Sequence, residues 1–403
     1  MAGLSLCVGL VAAGVWLVGG DEPYRADLSD DSAAPTAQAG AAAAVVQDLV
    51  RALAAGHPDA AAELGRPDDP ASVGLLRAVA DNARELGLVD LSARYVDEVG
   101  AVAPDGSWTA AVDLTWAIDG FDEEPAHAEV LVAFAPDDGR VAITGLGGGD
   151  RISPLWLRER LVIRRTPRAL VMAAGEQAAR EARVYLQRVR RAVPVVRGVL
   201  PQWRPSVVLE VPASSEALDD ALDVADGTYA GIAAVTAAAD GSQRTSGPVR
   251  VFVNPEVTGR LRGAGAQVVI SHELVHVATD ATTVSLDPWL LEGFADYVAL
   301  RDIGLPLSTT AARARALVRR DGVPDHLPGV AEFDTSSDSL EAAYELAWLA
   351  CVEVAARVGE RGLVRVYDEA SDGATTRRAL ASVGLTPGEV LRGWQVRLRG
   401  LRP

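Results

Sequence analysis

A pair of histidines four residues apart constrains this chain more than any other feature of its sequence. His272 and His276 lie in one apolar stretch, and Glu292 follows sixteen residues after the second histidine. If both segments are helical, the two imidazoles lie one turn apart on one helix face and can converge on one metal ion. Glu292 on a second helix can then supply a third ligand and leave a fourth position for water. The fold therefore has to bring two helices together here.

The chemistry of these side chains favours zinc and the activation of water. Two neutral imidazoles at this spacing suit Zn2+ in both geometry and softness. Glu273, beside the first histidine, is the candidate general base, which takes a proton from the activated water and hands it to a leaving amine. The short His-Glu-x-x-His pattern also occurs by chance in ordinary helices, so by itself it does not establish a site.

A second helix is predicted downstream of the histidines. Asp287 and Pro288 predict its start, because Asp is a favoured N-cap and Pro is favoured at the first helical position. Glu292 falls just over one turn into this helix. Asp296 is four residues further on and lies on the same face, where it can accept the second ring N–H of a ligand histidine. The two segments together predict a metal site more strongly than either does alone.

At these residues the chain resembles the gluzincin metallopeptidases, and most closely the peptidase MA-like group. That group has a His-Glu-x-x-His helix followed by a Trp-Leu-x-Glu-Gly-Phe/Leu-Ala-x-Tyr segment, and both parts are present, from His272 to His276 and from Trp289 to Tyr297. The resemblance implies a zinc site with these members: His272, His276 and Glu292 as ligands, Glu273 as base, and Asp296 behind a ligand histidine.

The donor that stabilises the developing oxyanion is open at the sequence level. Related gluzincins carry a tyrosine in a downstream helix that hydrogen-bonds to the oxyanion, and Tyr344 matches that position. A core aromatic residue would occupy the same place in a helix. Tyr297, which adjoins the ligand helix, and His326, in a loop, are the weaker alternatives.

The sequence departs from aminopeptidase N-type enzymes in two ways. The interval between His276 and Glu292 is shorter than theirs. No Gly-x-Met-x-Asn stretch is present, since methionine occurs only at positions 1 and 172. Those enzymes use that stretch to hold a free amino terminus, so the sequence favours an endopeptidase.

The N-terminal segment predicts a membrane helix. Ala2 to Gly20 carry no charge, and 19 helical residues reach roughly 28 Å, close to the hydrocarbon thickness of a bilayer. Residues 1–20 are therefore expected to be a single-pass transmembrane anchor, with a cleaved signal segment or a buried helix as alternatives. Residues 21–41 are predicted to be a flexible linker. The catalytic domain is then expected outside the cytoplasm at the cell membrane, or secreted after cleavage.

Residues 42–150 predict a small accessory domain. Helical periodicity from Ala43 to Ala55 and from Ala71 to Leu88 precedes three or four strand-like runs, at 91–103, 107–118, 127–134 and 141–145. In one run, alternate residues predict a single apolar face: Trp108, Ala110, Val112, Leu114 and Trp116. The order of helices followed by an antiparallel sheet resembles the cone-shaped fold of nuclear transport factor 2-like domains.

Residues 151–403 predict the metallopeptidase domain. Two helices, 153–165 and 167–193, are expected before a helix-plus-sheet prelude to the histidine helix. In metallopeptidases of this broad type an edge strand pairs with the extended substrate backbone. Either 231–237 or 249–253 could be that strand, and the sequence does not choose between them.

The expected fold class is α+β, with a zincin-like, mainly helical domain containing a small mixed sheet, a small α+β cone-like domain before it, and an N-terminal transmembrane helix. A net charge of −17 argues against nucleic acid as a partner, because binding to phosphates needs a basic surface. The expected partners are a peptide or protein substrate and the membrane. Two alternatives remain, a catalytically weak zinc-binding interaction protein and a zinc hydrolase of a non-peptide amide or ester. Glu273 favours catalysis, because a structural site needs no base.

Overall fold

The computed structural model describes residues 36–241, 247–335 and 337–401. The strands in that part of the chain are β1 Leu88–Val99, β2 Trp108–Ile118, β3 Ala126–Asp137, β4 Arg140–Leu146, β5 Val162–Thr166, β6 Ala169–Ala173, β7 Val207–Val211, β8 Ala234–Ala238 and β9 Val249–Val253. The helices are α1 Ala39–Ala54, α2 Pro58–Ala62, α3 Pro70–Leu86, α4 Ala178–Val199, α5 Ser215–Leu222, α6 Pro255–Arg260, α7 Gly263–Ala278, α8 Pro288–Leu300, α9 Leu307–Thr310, α10 Ala312–Asp321, α11 Leu340–Val358, α12 Glu360–Ser371, α13 Thr376–Ser382 and α14 Pro387–Arg399. Two short 3-10 helices are Leu155–Leu157 and Ala281–Thr283.

The first sheet is antiparallel, with strand order β1-β2-β3-β4, and α1 and α3 contribute to the same core. The alternation predicted for β2 is confirmed, because its five predicted apolar residues are all buried in that core. A two-residue turn joins β3 to β4. Asp138 and Gly139 both have positive φ there, as a type I′ hairpin requires. The resemblance to nuclear transport factor 2-like domains stays a prediction.

The second sheet is mixed, with strand order β5-β6-β7-β9-β8. β6, β7 and β9 run parallel to one another, and β5 and β8 are antiparallel to their neighbours. Alternate residues of β6 enter different cores, since Val171 packs with α4 and α7 whereas Leu170 and Met172 pack with the first sheet's core. The second sheet is therefore covered on both faces, by α4 and α7 on one face and by the core of the first sheet on the other.

The prediction of a helix at 153–165 is wrong, and that of a helix at 167–193 is confirmed only from 178 to 193. Residues 153–173 form a 3-10 helix and the hairpin of β5 and β6, and the long helix is α4, which begins only at Ala178. All five residues of β6 are buried, so its apolar run lacks the alternation of a half-exposed strand. A short continuous apolar run of this kind cannot be told from a buried helix by periodicity alone.

The expected membrane helix is corrected by the structure. Among the helices of residues 36–241, 247–335 and 337–401, none combines the length and the apolar character needed to cross a bilayer. The longest, α4, has 22 residues but carries arginines along its exposed face, whereas a span needs about 20 mostly apolar residues. This finding contradicts the expected single-pass membrane location. The segment 1–20, on which that expectation rested, lies outside the described residues, as does most of the predicted linker.

A buried ion cluster joins the loop between β2 and β3 of the first sheet to strands β7 and β9 of the second sheet. The guanidinium of Arg250 in β9 donates two hydrogen bonds to the carboxylate of Asp122, at 2.7 and 2.6 Å, in bidentate geometry. Both side chains are almost fully buried. A second carboxylate, that of Glu210 in β7, lies 3.8 Å from Arg250. Burial raises the pKa of Glu210 to about 7, although the charge of Arg250 opposes this effect.

This raised pKa predicts that Glu210 makes the protein less stable as pH rises. The folded pKa lies above the unfolded value, so the stability from this group is complete below the unfolded pKa and is lost as pH rises through about 7. Between about pH 5 and pH 8 the wild type should lose roughly 2 to 3 kcal/mol of unfolding free energy relative to Glu210→Gln, which cannot ionise. Urea denaturation at the two pH values measures this difference. Equal changes in both proteins would contradict the prediction.

Candidate metal centre

Helix α7 carries the histidine pair and is anchored by its apolar residues. Ile270 and Leu274 are fully buried in the core beneath the second sheet. His272, Glu273 and His276 are also buried, with 6 to 8% of their surface exposed. Because the apolar residues fix the rotation of the helix, the histidine face points toward α8 rather than into solvent. The helical conformation expected for this segment is confirmed.

Helix α8 brings the third candidate ligand to this face. Pro288 is its first residue, as predicted, although the side chain of Asp287 makes no capping hydrogen bond. Gly293, next to Glu292, allows α8 to pack against the backbone of α11. A Cβ at Gly293 would lie 2.3 Å from the carbonyl oxygen of Ala347 and 3.0 Å from the sulfur of Cys351. The glycine of this segment is therefore required by close helix packing.

Three donor atoms converge where α7 and α8 meet. Nε2 of His272 lies 3.0 Å from Nε2 of His276 and 3.1 Å from Oε2 of Glu292, and His276 lies 3.3 Å from the same oxygen. Ligands about 2.0 to 2.1 Å from a tetrahedral zinc lie roughly 3.3 Å from one another, close to these separations. Two imidazoles and a carboxylate also match the donor types of catalytic zinc sites. The cluster fits a divalent metal, but the donor set is not specific to zinc.

Asp296 orients one of the two imidazoles. Its Oδ1 lies 2.8 Å from Nδ1 of His272. Because a carboxylate only accepts, Nδ1 carries the hydrogen and the lone pair of a neutral His272 is on Nε2, which faces the other two donors. Within the described residues, Nδ1 of the buried His276 has no hydrogen-bond partner. Of the two histidines, only His272 is therefore oriented by a hydrogen bond to its second ring nitrogen within the described residues.

Loss of Asp296 should weaken metal binding without abolishing it. We expect Asp296→Ala to lower zinc affinity about 10- to 100-fold, because His272 loses the group that fixes its tautomer and ring orientation. Competition with a chromogenic chelator measures the affinity. Asp302→Ala, which removes an exposed carboxylate just beyond α8, serves as the matched control. Equal affinity in the two variants would show that Asp296 does not support the ligand.

The electrostatic field of the cluster favours a cation. Burial by itself would lower the pKa of His272, but the carboxylates of Asp296 and Glu292 raise it well above its usual value. Burial opposes ionisation of Glu292, yet the two histidines hold its pKa below the usual range. Positive charge is thus stabilised at the position where the three donors meet, as a divalent ion requires.

Glu273 lines a cavity of about 220 Å³. Its side chain takes no part in the hydrogen bonds among the metal donors. The cavity lies between α7, β8 and the 3-10 helix Ala281–Thr283. β8 is an edge strand of the second sheet, and β9 is paired on both sides. The sequence left 231–237 and 249–253 as candidates for the substrate-pairing strand. Only the first of these contains an edge strand, at 234–237, that is free to pair with a further strand. The side chains lining the cavity include Tyr229, Ile232, Thr236, Glu273, Leu291, Thr335 and Tyr344.

Of the three candidate oxyanion donors, only Tyr344 lies at the cavity. Its ring packs edge-on against that of His272, with 5.9 Å between centroids. Burial and the carboxylates of Glu292 and Glu273 raise the pKa of Tyr344 above its usual range, so the hydroxyl keeps its proton and can donate. The hydroxyl of Tyr297 instead donates to Glu360 at 3.5 Å. His326 is exposed and lines a different cavity.

Several cavity residues carry no recognisable signal in the sequence. Thr236 hydrogen-bonds to Glu273, and Tyr229 and Thr335 form parts of the wall. Thr236 lies within a predicted strand, but a threonine in a strand is common and does not indicate a site. Only the pairing of strands far apart in sequence shows that β8 is an edge.

A scan against protein-family models and a search of the curated proteins find no match to this chain.

Proposed function

We propose that this protein is a zinc-dependent peptidase of the gluzincin type that cleaves peptide bonds within extended polypeptides. One observation carries the proposal. The carboxylate of Glu273 faces an open cavity directly beside three converging metal donors. A metal that only stabilises a fold is enclosed by four protein ligands and needs no base, whereas a catalytic metal keeps one position open.

Bound zinc would supply a Lewis acid and lower the pKa of water to about 7. Glu273 accepts the proton of the attacking water as its oxygen bonds to the carbonyl carbon. As the C–N bond breaks, Glu273 returns that proton to the leaving amine, which yields a carboxylic acid and an amine. His272, His276 and Glu292 hold the metal, with Asp296 orienting the first of them. Tyr344 donates a hydrogen bond to the oxygen on which negative charge develops.

The edge of β8 supplies a place for the substrate backbone. An extended peptide can add to a free sheet edge through main-chain hydrogen bonds, and pockets for alternate side chains then provide selectivity. β8 adjoins the cavity that Glu273 faces. A polypeptide substrate is thereby favoured over a compact amide or ester, which would not use the strand edge.

The hydroxyl of Tyr344 is expected to matter for kcat. Tyr344→Phe removes one donor to the developing oxyanion, and the loss of such a donor costs about 100-fold in kcat in other hydrolases. The ring and its packing against His272 and Phe333 stay in place. Steady-state kinetics on a fluorogenic peptide measure the effect. Tyr297→Phe is the matched control, and a similar loss in both variants would remove Tyr344 from the mechanism.

The proposal is tested by metal analysis together with proteolysis by the full chain. We expect about one zinc per chain by elemental analysis. Cleavage of a denatured peptide library should be lost on chelation and restored by added Zn2+. Bound zinc without cleavage of any peptide would overturn the proposed peptidase activity but not the metal site. Cleavage of model esters alone would favour a non-peptide hydrolase. Absence of zinc after reconstitution would overturn both.

A further inference from the structure

The edge strand β8 contacts the candidate base through one side chain. Ala234, Thr236 and Ala238 share one face of β8, and Ala234 packs in the core that contains Ile270 and Leu274 of α7. Thr236 therefore points toward α7. Its Oγ1 lies 2.7 Å from Oε2 of Glu273 and 3.3 Å from the carbonyl oxygen of the same residue.

The single hydrogen of the Thr236 hydroxyl is directed to the carboxylate. That bond is shorter than the one to the carbonyl, and a hydrogen bond to an ionised acceptor is the stronger of the two. Within the described part of the chain, no other side chain hydrogen-bonds to Glu273. One carboxylate oxygen is thus held by Thr236, and the other is left to accept a proton.

We propose that Thr236 is a positioning residue, which holds the carboxylate of Glu273 in the orientation that takes the proton from the attacking water. This inference rests on the proposed function. The strand that would pair with the substrate backbone also carries the hydroxyl that orients the base. A single segment thereby sets both the position of the peptide bond and the direction of the base, and small errors in such alignment are costly to kcat.

Two variants of Thr236 separate its hydroxyl from its shape. Thr236→Val keeps the branched side chain without the hydroxyl, and Thr236→Ser keeps the hydroxyl without the methyl group. We expect kcat to fall about 10- to 100-fold in the valine variant, which is less than the 10²- to 10⁴-fold that a general base contributes, because the base itself is kept. KM and zinc content should be unchanged, since Thr236 is not a metal donor. The serine variant should recover most of kcat. Equal kcat in the two variants would overturn the proposal.

A double-mutant cycle tests whether Thr236 acts through Glu273. In a Glu273→Gln background, Thr236→Val should lower residual kcat by less than about twofold, because the base that it positions is gone. An undiminished loss in that background would overturn the proposal, because Thr236 would then act by another route.

A structural measurement does not depend on activity. In crystals of the metal-free Thr236→Val protein, the Glu273 carboxylate should turn away or occupy two orientations, and in Thr236→Ser it should keep one. A single, unchanged orientation in the valine variant would overturn the proposal. A wild-type protein that cleaves nothing would overturn the proposed function alone, and the orientation of Glu273 in the two variants would still decide the role of Thr236.

Discussion

Glu273→Gln should lower kcat by about 10²- to 10⁴-fold while the protein keeps its zinc and its KM. Glutamine has the shape of glutamate, and its amide oxygen can still accept the hydrogen bond from Thr236, so the fold of the site is preserved. The amide cannot take up the proton of the attacking water. Kinetics on the same fluorogenic peptide, together with elemental analysis of each preparation, measure both quantities.

The control for this prediction is another glutamate of the same domain. Glu216 in α5 is exposed and takes no part in the cavity, so Glu216→Gln should retain wild-type kcat. A Glu273→Gln protein with activity close to wild type would contradict the assignment of the base. If the variant also lost its zinc, the loss of activity could not be ascribed to proton transfer, and elemental analysis detects that case directly.

Gly293→Ala should destabilise the protein and disturb the metal site together. The added Cβ would lie 2.3 Å from the carbonyl oxygen and 2.5 Å from the carbonyl carbon of Ala347. Both atoms belong to the backbone of α11, so the two helices have to separate. Overpacking of this kind costs about 3 kcal/mol of unfolding free energy. Glu292 adjoins Gly293 and would move with α8, so zinc affinity should fall as well.

A second glycine-to-alanine change separates this steric effect from helix propensity. Gly74 is an exposed residue of α3, and a Cβ added there would have no neighbouring atom within 4 Å. Gly74→Ala should stabilise the protein by about 0.5 to 1 kcal/mol, because alanine loses less conformational freedom in a helix. Urea denaturation and a chelator competition assay measure both variants. A Gly293→Ala protein as stable as wild type would show that α8 and α11 are not in contact at this point.

The sequence predicted the site helices well, because their signals are local. An α-helix has about 3.6 residues per turn, so a spacing of four already puts His272 and His276 on one face. The same holds for Glu292 and Asp296, and in the structure Asp296 lies behind His272, at 2.8 Å. The second strand of the first sheet was predicted closely for a similar reason, since every other residue from Trp108 to Trp116 is buried, whereas Thr109, Asp113 and Thr115 on the other face are partly exposed.

The predictions failed where the local signal was ambiguous. β6 is buried on both faces and has no alternation, so residues 167–193 were predicted as one helix. The membrane helix was predicted from apolar length alone, and the structure offers no spanning helix among the residues it describes. The buried cluster joins Asp122 to Arg250, 128 residues further along the chain, and to Glu210, and each of the three looks like an ordinary surface charge in the sequence.

The sequence by itself predicted that His272, His276 and Glu292 are the candidate metal donors and that Glu273 is the candidate base beside them. This was possible because helical spacing depends only on residues that are close in the sequence. Only the tertiary structure shows that β8 lies at a sheet edge, that Tyr344 is the candidate donor at the cavity, that the Thr236 hydroxyl hydrogen-bonds to Glu273, and that Gly293 packs against the backbone of α11. Each of these depends on strand pairing or helix packing between residues far apart in the chain. A local pattern carries no record of such contacts.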